Sequence, residues 1–391
     1  MTLSAETIQQ SIDETVEDMQ FSVDLWNDGK ANPNRMSNLY HSMTRGFSNL
    51  ARTAAVYGAT TDCRDCYGRA AEFTFEKICH HRRLRDRRER IDWEGESRDF
   101  YPALNDALLS RNEDLIEEIA SEAIAVDEVY LDEFAEDYPD SPANFYDMKA
   151  HAALALDDDR ATTYVAELRD AIEVTDDPSL YWETIPEFYA AVLDGSTADV
   201  EAALADLHDF FVSEAPNPDD PSEYVLDDVA ASVVLARRHG LDPMIESDRV
   251  PEAVLREEIP ADDPTLDIDI DSLQFTSDVG FFELERDDED RPVIAGRIYH
   301  PGGEPVSADD VPEREAGRVL SDGWIEAALD EAEWREHYDD AMVAEAREAY
   351  EDGTLQRKLV VVQDRTDGHT FDESLAALPV DDVAMLKGAG R

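Results

Sequence analysis

The chain is poor in lysine. Only Lys30, Lys77, Lys149, Lys358 and Lys387 occur in 391 residues, and Lys and Arg together number 34 against 93 Asp and Glu, a formal net charge of -59. That balance argues against a nucleic-acid partner, because each phosphate contact has to come from a Lys or Arg working against the surrounding carboxylates. It also makes a compact chain repel itself at ordinary ionic strength, whereas salt near 1 M shortens the Debye length to about 3 Å. Scarce lysine beside abundant carboxylate therefore reads as an acidic, halophilic protein of a salt-rich cytoplasm. Long apolar runs are missing as well: none approaches the roughly 20 residues of a membrane-spanning helix. The opening Met1-Thr2-Leu3-Ser4-Ala5-Glu6 lacks the basic region and apolar core of a secretory signal. The expectation is a cytoplasmic location and no membrane partner. The three cysteines all fall between residues 63 and 79, too few and too close for a disulfide framework. Neither a G-x-x-x-x-G-K-[ST] phosphate loop nor H-E-x-x-H occurs.

What the chain has is apolar periodicity. Hydrophobic residues make up 42% and recur at helical spacing, which separates this sequence from acidic disordered chains. Three stretches rhyme: Ala107-Leu108-Leu109-Ser110-Arg111-Asn112-Glu113-Asp114-Leu115-Ile116, Ala153-Leu154-Ala155-Leu156-Asp157-Asp158-Asp159-Arg160, and Ala191-Val192-Leu193-Asp194-Gly195-Ser196-Thr197-Ala198-Asp199-Val200. Each closes one apolar helix with a short polar turn and opens another, the signature of stacked helical hairpins. Their spacing, 46 residues and then 38, is too irregular for a clean tetratricopeptide repeat.

Three long helices are expected first, over about residues 4–27, 33–57 and, after Thr61-Asp62, 63–90. Shorter helices follow over about 99–110, 112–126, 127–137, 142–156, 159–174, 179–193, 197–213 and 222–239, with Pro216, Pro218 and Pro221 as the longest interruption. After a linker at Pro260-Ala261-Asp262-Asp263-Pro264 the texture changes. Gly280–Glu285 and Val293–Tyr299 read as a hairpin around Asp287-Asp288-Glu289-Asp290, followed by a helix over about 321–351, a strand at Leu359–Val362 and a short helix near Glu373–Leu378. The fold class is thus mainly α, an irregular array of stacked helical hairpins of TPR or HEAT type with a small α+β C-terminal appendage. It divides into an N-terminal long-helix unit (residues 1–96), the hairpin array (97–258) and the appendage (265–391).

Candidate chemistry is sparse. Cys63-Arg64-Asp65-Cys66 with Cys79-His80-His81 offers enough soft donors for tetrahedral zinc. On one continuous helix, however, the interval between Cys66 and Cys79 is roughly 19 Å at 1.5 Å per residue, so buried structural thiols are the preferred reading. Arg82-Arg83-Leu84-Arg85-Asp86-Arg87-Arg88-Glu89-Arg90 is the one local inversion of sign. It suits a helix C-terminus, where the dipole favours cations; the alternative is an anchor for an acidic partner or RNA. His41 lies near Ser42 and Thr44 without an acid or a Gly elbow, so no hydrolase triad is assigned. Asp157-Asp158-Asp159 reads as a solvated turn. Tyr181-Trp182 and Phe210-Phe211 read as core aromatics, with partner anchors as the alternative. No catalytic, cofactor-binding or metal-binding residue is assigned, and neither is a cofactor.

The helix ending in Ala155-Leu156-Asp157-Asp158-Asp159, the following Val165-Ala166-Glu167-Leu168, the pair Ala191-Val192-Leu193-Asp194-Gly195 and Leu204-Ala205-Asp206-Leu207, and the closing stretch from His239-Gly240-Leu241-Asp242-Pro243 to Val254-Leu255 carry a resemblance. Together with Asp62-Cys63-Arg64-Asp65-Cys66-Tyr67, they resemble the immunity protein 49 family of polymorphic toxin systems over roughly residues 1–258. The resemblance implies an all-helical, non-enzymatic cytosolic protein that neutralises a cognate toxin by binding it. Two other classes remain: a helical-repeat scaffold or regulator with a host protein partner, and an RNA- or zinc-binding protein centred on residues 63–90.

Overall fold

The computed structural model describes residues 5–27, 36–88, 95–129, 131, 138, 140–173, 178–214, 224–266, 268–273, 275, 279–299, 322–334, 339–364 and 370–378. Three long helices come first, α1 (Ala5–Asn27), α2 (Met36–Tyr57) and α3 (Thr60–Arg88). The hairpin array follows with α4 (Glu96–Ser110), α5 (Glu113–Ala125), α6 (Ser141–Ala155), α7 (Ala161–Glu173), α8 (Leu180–Leu193), α9 (Thr197–Glu214), α10 (Asp227–Arg238) and the single turn α11 (Glu252–Leu255). The helix expected over 127–137 and the Pro216–Pro221 interruption lie outside the described residues except at a few positions. Contacts divide the chain into two compact units, one from Met1–Asp18, His41–Ile78 and Asp92–Ile270, the other from Met19–Tyr40, Cys79–Ile91 and Asp271–Arg391.

In the first unit the rhyming stretches behave alike. α4 packs on α5, α6 on α7 and α8 on α9, and α6 also lies against α4 and α5. At each turn one residue takes the left-handed conformation: Arg111 (φ 61°), Asp157 (φ 54°) and Gly195 (φ 69°). After α6 the Asp158 amide returns to the Ala153 carbonyl at 2.8 Å and Asp157 to Leu154 at 3.1 Å; after α8, Ser196 returns to Ala191 at 3.0 Å and Gly195 to Val192 at 3.1 Å. These paired bonds are the Schellman closure, which satisfies the last free carbonyls and reverses the chain. α5 ends differently. The Nζ of the buried Lys149 on α6 donates to the carbonyls of Ile124 and Val126, placing a cation where the helix dipole is negative.

The last helix returns to the first of the array, with α10 packed on α4. The chain that leaves it is held by arginines: Arg111 donates to the Val254 carbonyl at 3.0 Å, Arg237 to Leu255 at 2.7 Å, and Arg64 to Arg256 and Glu257. The expected linker is anchored too, because the Asp263 carboxylate accepts from the Thr60 and Thr61 amides at 3.0 and 2.8 Å and so caps the start of α3.

The second unit contains β1 (Val279–Arg286), β2 (Pro292–Tyr299), α12 (Asp322–Trp334), α13 (Asp340–Glu351), β3 (Gln356–Asp364) and β4 (Thr370–Leu378). The sheet order is β1-β2-β3-β4, with β2 and β3 parallel across the two-helix crossover and the outer pairs antiparallel. The expected hairpin is present, its turn fixed by Asp287, which accepts from the amides of Glu289 and Arg291 at 2.9 Å each. Two expectations need correction. The single helix over 321–351 is two helices, the second started by the Asp339 side chain, which accepts from the amides of Ala341 and Met342. The short helix near Glu373–Leu378 is instead strand β4, with Ala376, Ala377 and Leu378 opposite Leu359, Lys358 and Arg357. A six-residue helix gains too few hydrogen bonds to offset its nucleation, whereas the edge of β3 offers a ready-made ladder.

Candidate functional site

The residues singled out by sequence separate widely. α3 is unbroken from Thr60 to Arg88, and Cys63, Cys66 and Cys79 are buried free thiols. Burial pushes the Cys63 and Cys66 thiols up, which keeps them protonated and unreactive. Among the described residues no group of three or more His, Cys, Asp or Glu could hold a metal ion. The arginine run occupies the end of α3 as far as Arg88, and its side chains from Arg83 onward lie outside the described residues. His41 is exposed. Asp158, in the acidic turn, is pulled down to about 2 by hydrogen bonds from the Arg160 side chain and amide, so this turn is locked by its own cation.

The aromatic pairs converge. Tyr181 and Trp182 sit at the start of α8, Phe210 and Phe211 near the end of α9, and a hairpin brings those ends together. Tyr181 meets Trp182 at 4.9 Å, Phe210 at 5.9 Å and Phe211 at 6.1 Å between ring centroids. All four are partly exposed, and the flanking Leu180 and Val212 are 42% and 40% exposed. Glu183, Asp209 and Glu214 are exposed neighbours along the same helix ends. The four aromatics are therefore neither core nor free surface: they form an apolar patch with an acidic border.

A polar network under this patch was not anticipated from sequence. The Tyr181 hydroxyl donates to Asp147 Oδ2 on α6 at 2.7 Å, and Tyr189 from the same helix donates to Oδ1 at 2.7 Å. Burial lifts the Asp147 carboxyl to about 6 even though both phenols favour its ionised form. Tyr101 on α4 hydrogen-bonds with Tyr181 and Asn105, and Asn105 donates to Asp228 at 3.0 Å. Asp227 and Asp228 open α10. Asp227 accepts from Arg52 on α2 at 2.6 Å and from the Tyr67 hydroxyl on α3. Asp228 is lifted to about 6 by burial and by the charge of Asp227, and Asp106 is raised by the same two causes. His151, one turn after Asp147, is buried with no partner for either ring nitrogen among the described residues, its ring 5.3 Å from that of Tyr101; burial lowers it to about 4.

Two clefts flank the end of α10. One, of about 770 Å³, includes Arg237, Ile245, Ser247, Val250 and Arg256 in its wall. The other, of about 590 Å³, includes Glu113, Ile116, Leu154, Asp157, Arg238 and His239. Neither is lined by Asp106, Asp147, His151, Asp227 or Asp228. Asp147 and Asp227 take their partners from neighbouring helices, Tyr181 and Tyr189 for the first and Arg52 and Tyr67 for the second, an arrangement that fixes helices in register. No helix among the described residues is long and apolar enough to cross a membrane. No family model, no curated protein and no solved structure matches the chain.

Proposed function

We propose that this chain is a protein-binding module, and that it serves as an immunity protein which neutralises a cognate toxin by occupying it. The observation that carries the reading is the partly exposed patch of Tyr181, Trp182, Phe210 and Phe211, flanked by Leu180 and Val212. Tyrosine and tryptophan supply large contact area at low entropic cost, and such residues dominate the energetics of binding when desolvated at the centre of an interface. Tyr181 is already fixed from below through Asp147, so its ring is ordered before a partner arrives. The acidic border suits a partner that is apolar at the contact and basic around it. Neutralisation by occupation needs no bond to be made or broken.

Capture from native lysate in KCl-rich buffer tests this. Wild-type chain is expected to retain one protein that arrests growth when expressed alone and is harmless when co-expressed with the chain. A variant carrying Leu180→Ala and Trp182→Ala should retain at least ten-fold less of it, since two truncated hot-spot residues cost about 1–2 kcal/mol each. Equal retention by the variant, or a captured protein without toxicity, overturns the proposal.

A further inference from the structure

A second feature of α9 points to chemistry and is independent of partner binding. The segment leaving α10 runs beside α9 and is tied to it twice: the Met244 amide donates to Glu201, and Ser247 Oγ lies 2.8 Å from His208 Nε2. The other ring nitrogen, Nδ1, is 3.4 Å from Asp209 Oδ1. Oγ also accepts from the Arg249 amide at 3.1 Å. In the tautomer with the imidazole proton on Nδ1, beside the Asp209 carboxylate, the Ser247 hydroxyl donates to Nε2. Nucleophile and base are within hydrogen-bond reach, with an exposed carboxylate beside the far ring nitrogen, the set of groups that activates a serine. Ser247 lines the 770 Å³ cleft, whose wall includes the apolar Val250, Pro251 and Leu255 and also Arg237. Arg237 brings a cation to that wall, its guanidinium held by the Leu255 carbonyl at 2.7 Å.

We propose that Ser247 and His208 form a nucleophile and base pair that cleaves small carboxylic esters, with Asp209 as the positioning residue. Oγ attacks the ester carbonyl carbon as its proton passes to His208 Nε2. The bond to the alcohol oxygen then breaks, and His208 returns the proton to the departing alcohol. Water, deprotonated by His208, attacks the acyl carbon and releases the carboxylic acid and free Ser247, so ester and water give acid and alcohol. The 39 residues between His208 and Ser247 leave no local signal of the pair in the sequence, whereas His41, next to Ser42, is exposed.

The full-length chain is treated with an alkyl fluorophosphonate, which forms an Oγ–P bond and expels fluoride, and the modified residue is mapped by peptide mass spectrometry. Ser247 is expected to be modified stoichiometrically. Ser247→Ala should abolish labelling, and His208→Gln should slow it at least ten-fold with an unchanged melting curve. Asp209→Asn should change the pH at which labelling accelerates, an effect that a purely structural carboxylate would not have. Hydrolysis of p-nitrophenyl acetate should follow the same ranking. If His208→Gln fails to fold, Asp209→Asn supplies the second arm. Wild-type Ser247 that stays unmodified, or that labels no faster than exposed serines elsewhere in the chain, overturns the proposal and leaves the partner-binding reading untouched.

Discussion

Two carboxylates in the same helical unit meet burial in opposite ways. Asp227 faces a cation: Arg52 lies 2.6 Å away, and its guanidinium pKa, which burial alone would lower, is raised by the attraction of Asp227 and then Tyr67. Asp147 has two phenols instead, Tyr181 and Tyr189, each at 2.7 Å, while His151, one turn further along α6, has no ring-nitrogen partner among the described residues. Charge is thus neutralised by an ion pair at one site and, below about pH 6, by a proton at the other. The second arrangement makes stability a function of pH.

The largest expected effect breaks the ion pair. Asp227→Asn leaves Arg52 without its counter-charge, and removing one member of a buried pair costs about 3–5 kcal/mol. The Arg52 side chain is 28% exposed, which places this loss near 3 kcal/mol because water can still reach part of the guanidinium. Asp147→Asn should cost less than about 1 kcal/mol at pH 7, since it removes a buried charge and keeps an amide for the two phenols. Denaturant unfolding in KCl gives both values; equal losses would show that the two sites are handled alike.

A smaller effect separates the two titrating groups of the second site. The folded Asp147 carboxyl, at about 6, lies above its ordinary 3.8, so its stabilising contribution is full below pH 3.8 and is lost as pH rises through 6. His151, lowered from 6.5 to about 4, acts in the other sense: its contribution is present above pH 6.5 and is lost as pH falls towards 4. Between pH 4 and 6 the two oppose each other in the wild type. His151→Leu should remove the acid loss, worth about 2 kcal/mol at pH 5, and leave a protein that is more stable at pH 5 than at pH 7. Asp147→Asn should do the reverse and steepen the loss on acidification. Thermal melts from pH 4.5 to 7.5 read both slopes, and parallel slopes in the two variants would dissolve the distinction.

How much of this could be read in advance depended on whether the signal was periodic. The helix pairs around Ser110–Asn112, Leu156–Asp158 and Asp194–Ser196 were legible because apolar spacing and polar turns repeat. The left-handed residue at those turns was legible only at Gly195; Arg111 and Asp157 take the same φ without the usual side chain, held by the helices on either side. The β4 strand was missed because its hydrogen-bond partner, β3, is a tertiary neighbour. The buried network was missed for a different reason. In a chain with 93 acidic residues, Asp106, Asp147, Asp227 and Asp228 look like any others, and only the folded chain puts them under Tyr67, Tyr181 and Arg52. Long-range pairs such as Arg52 with Asp227, 175 residues apart, leave no local trace.

The smallest expected effect sharpens the comparison at the level of one hydroxyl. Tyr67→Phe and Tyr181→Phe each remove one donor from a buried carboxylate, and a hydrogen bond to a charged acceptor contributes about 1.5 kcal/mol. For Asp227 the remaining partner is the Arg52 guanidinium, so Tyr67→Phe should cost about 1.5 kcal/mol and no more. For Asp147 the remaining partner is only Tyr189. Losing Tyr181 removes one of the two bonds that favour the ionised form, so the carboxyl pKa rises above about 6 and the group is protonated more completely in mild acid. The Tyr181→Phe penalty should therefore fall from about 1.5 kcal/mol at pH 7.5 to less than about 0.5 kcal/mol at pH 5, where a neutral carboxyl has less need of a donor. A penalty independent of pH in both variants would mean that Asp147 is ionised throughout, and that a proton is not what neutralises it.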